Sequence, residues 1–234
     1  MGLFALGDLH LSLSSSKPMD IFGDHWQQHH LKILRNWRKI VGEDDTVLIP
    51  GDISWAMSFQ ESMEDLEWIR ELPGRKILIK GNHDYWWPSI SKLRSFLKPN
   101  MVPLQHNAAE AEGCVITGTR GWLTPESEGF HEESDGKVFR RELIRLRMGL
   151  EAADKLRSRG QSLIAMMHYP PLAAGIPTEF CGLMEEFGVD TCVYGHIHMA
   201  PGEWPGNLDL QLNGTSYILV SADYLDFNPL RIGE

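Results

Sequence analysis

Short uninterrupted apolar runs alternate along this chain with stretches in which apolar residues recur every three or four positions. The first kind reads as strand buried on both faces, the second as amphipathic helix. Leu3 to Leu6 is the first run, and it stops at Gly7-Asp8-Leu9-His10. From Asp24 to Val41 the period turns helical, with Trp26, Ile33, Leu34, Trp37, Ile40 and Val41 on one side, Asp24 as N-cap and Gly42 beyond the end. Thr46 to Ile49 is a second strand, ending at Pro50-Gly51-Asp52. Phe59, Met63, Leu66, Ile69 and Leu72 mark a second helix closed by Pro73-Gly74, and the strand Lys76 to Lys80 then runs into Gly81-Asn82-His83-Asp84. This series predicts a parallel sheet with right-handed crossovers, its three carboxyl ends on one edge.

The second half repeats the theme less regularly. Pro88 starts a predicted helix through Leu97, and Val102 to Gln105 and Cys114 to Thr119 read as strands of a second sheet region. Leu123 to Lys137 is polar and acidic, and a loop of that length in a compact domain is usually functional, so a lid is expected there. Val138 to Arg159 predicts the longest helix, with Leu143, Leu146, Leu150, Ala153 and Leu156 at helical spacing. Ser162 to Met167 is a strand ending at His168, a helical stretch covers Phe180 to Phe187, and the strand Thr191 to Tyr194 ends at Gly195-His196-Ile197-His198. Leu208 to Leu212 and Tyr217 to Val220 read as closing strands.

Composition narrows the class. With 234 residues and 42% hydrophobic content the chain is expected to form a single α/β domain over 1–234. A net charge of −10 argues against stable nucleic-acid binding or a hold on anionic membranes. Cys114, Cys181 and Cys192 show no Cys-x-x-Cys spacing, so they read as free thiols. No apolar run approaches the roughly 20 residues that span a bilayer, and the N-terminus lacks the basic start of a signal peptide. A soluble cytoplasmic protein is expected.

Other polar clusters read as ordinary surface. His25, His29 and His30 have no accompanying Glu of a zinc-protease pattern and are expected on a solvated or half-packed helix face. Arg140, Arg141, Arg145 and Arg147, interspersed with Glu142 and Glu151, predict a salt-bridged surface. Tyr85, Trp86 and Trp87 are expected to pack around the cleft, and His131 to face solvent.

The strand ends carry the chemistry. Asp8-x-His10, Gly51-Asp52, Gly81-Asn82-His83-Asp84, His168 and Gly195-His196-x-His198 each follow a short apolar run. Any one of them is an ordinary turn or a satisfied core histidine; five together concentrate ligand-type side chains on one edge. Carboxylate, amide and imidazole without thiolate suit divalent ions such as Mn²⁺, Fe²⁺ or Zn²⁺ rather than a structural zinc site.

In this order and spacing the blocks resemble the calcineurin-like metallophosphoesterase superfamily, and within it a group of bacterial phosphohydrolases. The resemblance runs from Asp8 to His198. It implies a four-layer α/β/β/α sandwich holding two divalent transition-metal ions, one on Asp8, His10 and His198, the other on Asn82, His168 and His196, with Asp52 between them. It further implies hydrolysis of a small phosphorylated substrate, a monoester or diester, by hydroxide formed on the metal pair. His83 would serve the leaving oxygen, and Asp84 would orient His83.

Two departures bear on substrate. Gly51-Asp52 is followed by Ile53-Ser54-Trp55, not by the Asp and Arg-Gly of protein Ser/Thr phosphatases, which argues against phosphoproteins and leaves Arg120 as the stand-in for their phosphate-clamping arginines. Lipid-precursor pyrophosphatases of the superfamily carry Arg where this chain has His83. A nucleotide or sugar-nucleotide pyrophosphatase is the alternative enzyme, and a catalytically silent scaffold the alternative of another class. Retention of His83 and the full ligand set favours an enzyme.

Overall fold

The computed structural model of the protein describes residues 1–15, 17–204 and 208–233; Ser16, within the polar Ser14–Pro18 segment, lies outside them. The first half runs β1 (Leu3–Ala5), α1 (His29–Ile40), β2 (Thr46–Pro50), α2 (Met63–Arg70), β3 (Arg75–Ile79), α3 (Ile90–Phe96) and β4 (Met101–Pro103). The second half runs β5 (Ala108–Ala111), β6 (Cys114–Thr119), α4 (Glu132–Leu156), β7 (Ser162–Met167), the small hairpin β8 (Leu172–Ala173) and β9 (Ile176–Pro177), α5 (Glu179–Glu186), β10 (Thr191–Tyr194), β11 (Leu210–Leu212), β12 (Thr215–Leu219) and β13 (Leu230–Arg231).

Two mixed sheets result, in the orders β13-β1-β2-β3-β4 and β11-β12-β10-β7-β6-β5. The inner strands of each are parallel, and antiparallel partners sit at edges: β13 on β1, β5 on β6, β11 on β12. Why the strand sequences read as unbroken apolar runs is visible in the cores. Val47, Ile49 and Leu78 pack toward α1, α2 and α3 together with Ile33, Trp37, Leu66 and Leu93. Leu163, Ala165, Cys192 and Tyr194 pack toward α4 and α5 with Leu146, Leu150 and Phe180. The alternate positions Leu48, Ile77, Ile116, Ile164 and Val193 meet between the sheets. Both faces of both sheets are thus covered, which is the expected four-layer α/β/β/α arrangement. No helix among the described residues is long and apolar enough to cross a membrane.

The expected helix over Asp24–Val41 starts late. Residues Asp24–Trp26 form a separate short 3₁₀ turn, Gln28 takes a left-handed backbone at φ 50°, and only His29 begins the α-helix. The break lets the buried His29 ring turn inward, where it bonds the main chain of the first strand end (below). The helix expected from Val138 instead begins at Glu132, so it absorbs the second half of the expected lid. Glu132, Glu133 and Asp135 occupy its first turn, where carboxylates offset the positive end of the helix dipole. Asp135 also accepts from the Trp122 indole at 2.9 Å and the His131 amide at 2.9 Å, tying the remaining loop down.

Candidate metal centre

The two sheets meet where β1 and β12 end. The Gly7 amide donates to the Val220 carbonyl at 2.7 Å and the Ala222 amide to the Gly7 carbonyl at 3.1 Å, so the first strand end of one sheet is laced to the last strand end of the other. Carboxyl ends of β1, β2, β3, β7 and β10 therefore open onto one seam. Across it, the Asp8 amide donates to the Gly51 carbonyl at 3.0 Å and the His10 amide to the Asp52 carbonyl at 2.9 Å.

The backbone there is bent to aim side chains. Asp8, His10, Asp52 and His196 all take positive φ, at 54°, 45°, 48° and 73°. Each such residue costs on the order of 1 kcal/mol, and surrounding structure must enforce it. Glycines make the close approach possible: a Cβ at Gly81 would run into Asp52, and one at Gly195 into Asp8.

These constraints bring all seven expected ligand residues together. Asp8, His10 and His198 offer donor atoms within 4.8 Å of one another, and so do Asp52, His168 and His196. Asn82 joins the second group, its Oδ1 2.5 Å from His168 Nε2. Asp52 Oδ2 faces both groups, 3.8 Å from His10 Nε2 and 3.4 Å from His168 Nε2.

Electrostatics show what the cluster lacks. The His168 Nδ1 proton is donated to the Pro50 carbonyl at 3.1 Å, so the Nε2 lone pair faces Asn82 Oδ1. His198 Nδ1 donates to Asp223 Oδ1 at 3.0 Å, which turns its Nε2 toward His10 Nε2 at 3.2 Å. Acceptor thus meets acceptor between His168 and Asn82, and His198 Nε2 carries a proton only when the ring is an imidazolium. Burial and the charges of Asp84 and Asp8 push Asp52 up to about 9. Burial opposes a second proton on His198, yet bonds to Asp223 and Asp8 overcome it and hold the imidazole at about 10. Burial lowers His168 to about 3 and His196 to about 4 and depresses His10 strongly, which keeps their lone pairs available. Two buried carboxylates and converging neutral imidazoles are a donor set suited to divalent cations, which would take the place of those extra protons.

His83 stands apart. Its ring is partly exposed, Nε2 lies 4.0 Å from Asp52 Oδ2, and it packs on Trp55 at 4.3 Å between centroids. The expected role of Asp84 as its orienter is corrected here. The Asp84 carboxylate is fully buried and accepts from the amides of Ile53 (2.9 Å), Ser54 (3.1 Å) and Gly81 (2.7 Å) and from the Trp86 indole (2.9 Å). With its oxygens committed to two loops, it splints the Gly51 and Gly81 turns together. Arg120, the expected phosphate clamp, does not line the metal-facing cavity and points into a separate cleft.

Three supporting residues escaped sequence reasoning. Asp223 follows the closing strand β12, a sixth strand end whose acid was the available signal. His29, assigned above to a helix surface, is buried; its Nε2 lies 3.1 Å from the Leu9 carbonyl and 3.2 Å from that of His10, so it anchors the first ligand turn. Trp55 stacks on His10 at 5.0 Å and 24°. Of the aromatics after His83, Trp86 and Trp87 are buried in the helix-side core and Tyr85 is exposed.

A cavity of about 420 Å³ opens over the cluster. His10, Asp52, His83, His196 and His198 form its polar side, and Met19, Phe22, Trp26, Trp55 and Met199 its apolar walls.

Facing sheets whose strand ends converge on paired histidine–carboxylate groups define a metal-binding α/β sandwich. Within that class the chain belongs to the calcineurin-like phosphoesterase family, which matches residues 1–200. It is 40% identical over 77 residues to the Gene 66 protein of Mycobacterium phage L5, a match covering 33% of this chain and 37% of that protein. It is 43% identical over 56 residues to the Gene 66 protein of Mycobacterium phage D29, covering 24% of this chain and 28% of that one. The chain thus spans about a third of the length of the curated relatives it matches. Among solved structures it resembles the phosphopantetheinyl hydrolase PptH of Mycobacterium tuberculosis (TM-score 0.59, 14% identity, 99% of this chain and 95% of that one). It also resembles a protein of unknown function, AQ665, from Aquifex aeolicus (TM-score 0.52, 16% identity, 98% and 95% coverage). At these identities the likeness is one of fold.

Proposed function

We propose that the protein is a metal-dependent phosphoesterase that uses two divalent ions, Mn²⁺, Fe²⁺ or Zn²⁺, to hydrolyse a small phosphomonoester or phosphodiester. The observation that carries this reading is the position of Asp52 Oδ2, 3.8 Å from His10 Nε2 and 3.4 Å from His168 Nε2. A single carboxylate facing two ligand groups suits a shared anionic ligand between neighbouring ions.

On this reading Asp8, His10 and His198 hold one ion, Asn82, His168 and His196 the other, and Asp52 both. Such a pair supplies a water of lowered pKa and positive charge for the phosphoryl oxygens. The chain does the rest. Asp223 and the Pro50 carbonyl fix the tautomers of His198 and His168 by accepting their Nδ1 protons. His83 lines the cavity without belonging to either ligand group, and burial lowers its pKa. It is the residue placed to give a hydrogen bond or proton to the departing oxygen. Met19, Phe22 and Trp55 form an apolar wall for the organic part of the ester.

Among the described residues no lysine or arginine lines this cavity. The Lys17 ammonium lies over the Trp55 ring at 5.5 Å rather than in the lining, and no guanidinium is there to clamp a second phosphoryl group, which favours a monoester or diester over the pyrophosphatase alternative. The same acidic, cation-poor opening supports a small-molecule substrate over nucleic acid.

The test is metal content and turnover together. Purified protein should carry about two transition-metal equivalents and hydrolyse p-nitrophenyl phosphate or bis-p-nitrophenyl phosphate in Mn²⁺. Metal-replete protein inactive on both would favour the silent scaffold, and absence of both metal and turnover would overturn the proposal.

A further inference from the structure

A second cleft, of about 290 Å³, lies between the sheets at the carboxyl ends of β3 and β6 and shares no lining residue with the metal-facing cavity. Lys80, Arg120, Arg141 and Arg145 line it together with one carboxylate, Glu142. Glu142 is fully buried. Its Oε1 accepts from Arg145 at 2.8 Å and Arg141 at 3.1 Å, with Arg120 at 3.8 Å, and its Oε2 accepts from Thr119 at 2.7 Å. One carboxylate therefore serves three guanidinium groups. A salt-bridged helix surface is the fate of Arg140 and Arg147, which pair with the exposed Glu132 and Glu186. Arg141 and Arg145 turn instead toward a buried acid and a pocket.

The surplus positive charge is unspent. Arg120 Nε is buried without a hydrogen-bond partner, and its guanidinium is steadied on the Trp122 ring at 4.5 Å. Lys80 faces the same space from the end of β3 and enters no ion pair among the described residues. In a chain of net charge −10, four cations gathered around one carboxylate in a concave site are a binding arrangement for a tetrahedral oxyanion. Forked guanidinium donors and a point-charge ammonium suit phosphate, and the volume admits the group with little attached.

We infer that this cleft is a phosphate-binding site distinct from the proposed metal centre, taking free phosphate or the phosphate group of a small ester. It adjoins that centre through the main chain. The Arg120 carbonyl accepts from the His168 amide at 3.2 Å and the Tyr169 amide at 2.9 Å, and Lys80 lies two residues before Asn82.

The test follows the arginine Nε–H signals of the full chain by ¹H–¹⁵N NMR during titration with inorganic phosphate and, in parallel, methylphosphonate. Samples as purified and after chelation separate this site from phosphate held by metal ions. Saturable shifts at Arg120 and Arg141 are expected in both samples, weakened roughly tenfold by Lys80→Gln and by Arg141→Gln and weakened further by added salt. Neither substitution removes a Glu142 hydrogen bond from Arg145 or Thr119, and unchanged melting temperatures check that the fold survives. Phosphate binding alone identifies free phosphate as the ligand; equal or tighter methylphosphonate binding identifies an ester-borne group. Shifts confined to metal-site residues, no saturable shift, or affinity indifferent to both substitutions would overturn the inference, whatever the outcome of the activity test.

Discussion

His198 and Asp223 are joined by a 3.0 Å hydrogen bond that runs from imidazole Nδ1 to the carboxylate at the end of the last long strand. The bond fixes which nitrogen of His198 faces Asp8 and His10. Partners of this kind set the ring orientation and basicity of a ligating histidine, and their loss typically weakens metal binding 10- to 100-fold, about 1.4 to 2.7 kcal/mol. Asp223→Asn is therefore expected to lower affinity for one of two Mn²⁺ equivalents by that factor while leaving the other near its original value. Isothermal titration of the chelated protein measures both; equal weakening of the two sites would contradict a local role.

Asp84 supplies a second contrast, between position in the chain and position in the fold. It follows His83, yet three main-chain amides and the Trp86 indole consume its oxygens. Removing a buried carboxylate with that many partners leaves stranded donors, so Asp84→Ala should destabilise the fold by about 3 kcal/mol or more and reduce metal occupancy. Denaturant unfolding and metal analysis check this. A variant with normal stability and metal content but a lowered rate would restore the orienting role.

His83→Ala should behave in the opposite way. The ring contributes to neither ligand group and is partly exposed, so metal content and melting temperature should stay near those of the unaltered protein. The rate on esters with poor leaving groups should fall by about 10²- to 10⁴-fold, the usual range for a lost general acid. Activated aryl esters, whose departing oxygen needs little help, should be affected much less. Equal losses on both substrate types would remove the proton-donor role.

The contrast between these residues also explains what could be read from the chain. Asp8, Asp52, Asn82 and His168 were legible because a buried parallel strand must end at a defined edge, and a polar residue right after an apolar run is delivered there. Asp223 obeys the same rule but stands four residues past the end of β12, in an unremarkable Ser-Ala-Asp turn. His29 and Trp55 act through contacts with segments far off in sequence, which no local period reports. The start of the first long helix was missed because Gln28 adopts a left-handed backbone that tertiary packing, not propensity, enforces. Glu142 looked like one of several surface charges; its burial depends on the close approach of α4 to β6.

Lys76 provides a pH test remote from the metal centre. Its side chain is fully buried, and its ammonium donates to the Leu72 carbonyl at the end of α2. Burial lowers its pKa from 10.5 to about 8 in the folded chain. Below about pH 8 both folded and unfolded chains hold the proton, and this residue adds no pH dependence. Between about 8 and 10.5 the unfolded chain holds it more tightly than the folded one, so stability gains a positive contribution as pH rises through that window. Urea unfolding at several pH values across the window, compared with Lys76→Met, isolates the effect because every other titrating group is common to both proteins. The unaltered chain should gain stability relative to the variant as pH rises, and the difference should level off above the window. Parallel pH profiles would mean that the buried amine keeps its ordinary affinity for the proton, sustained by the carbonyl at the end of α2.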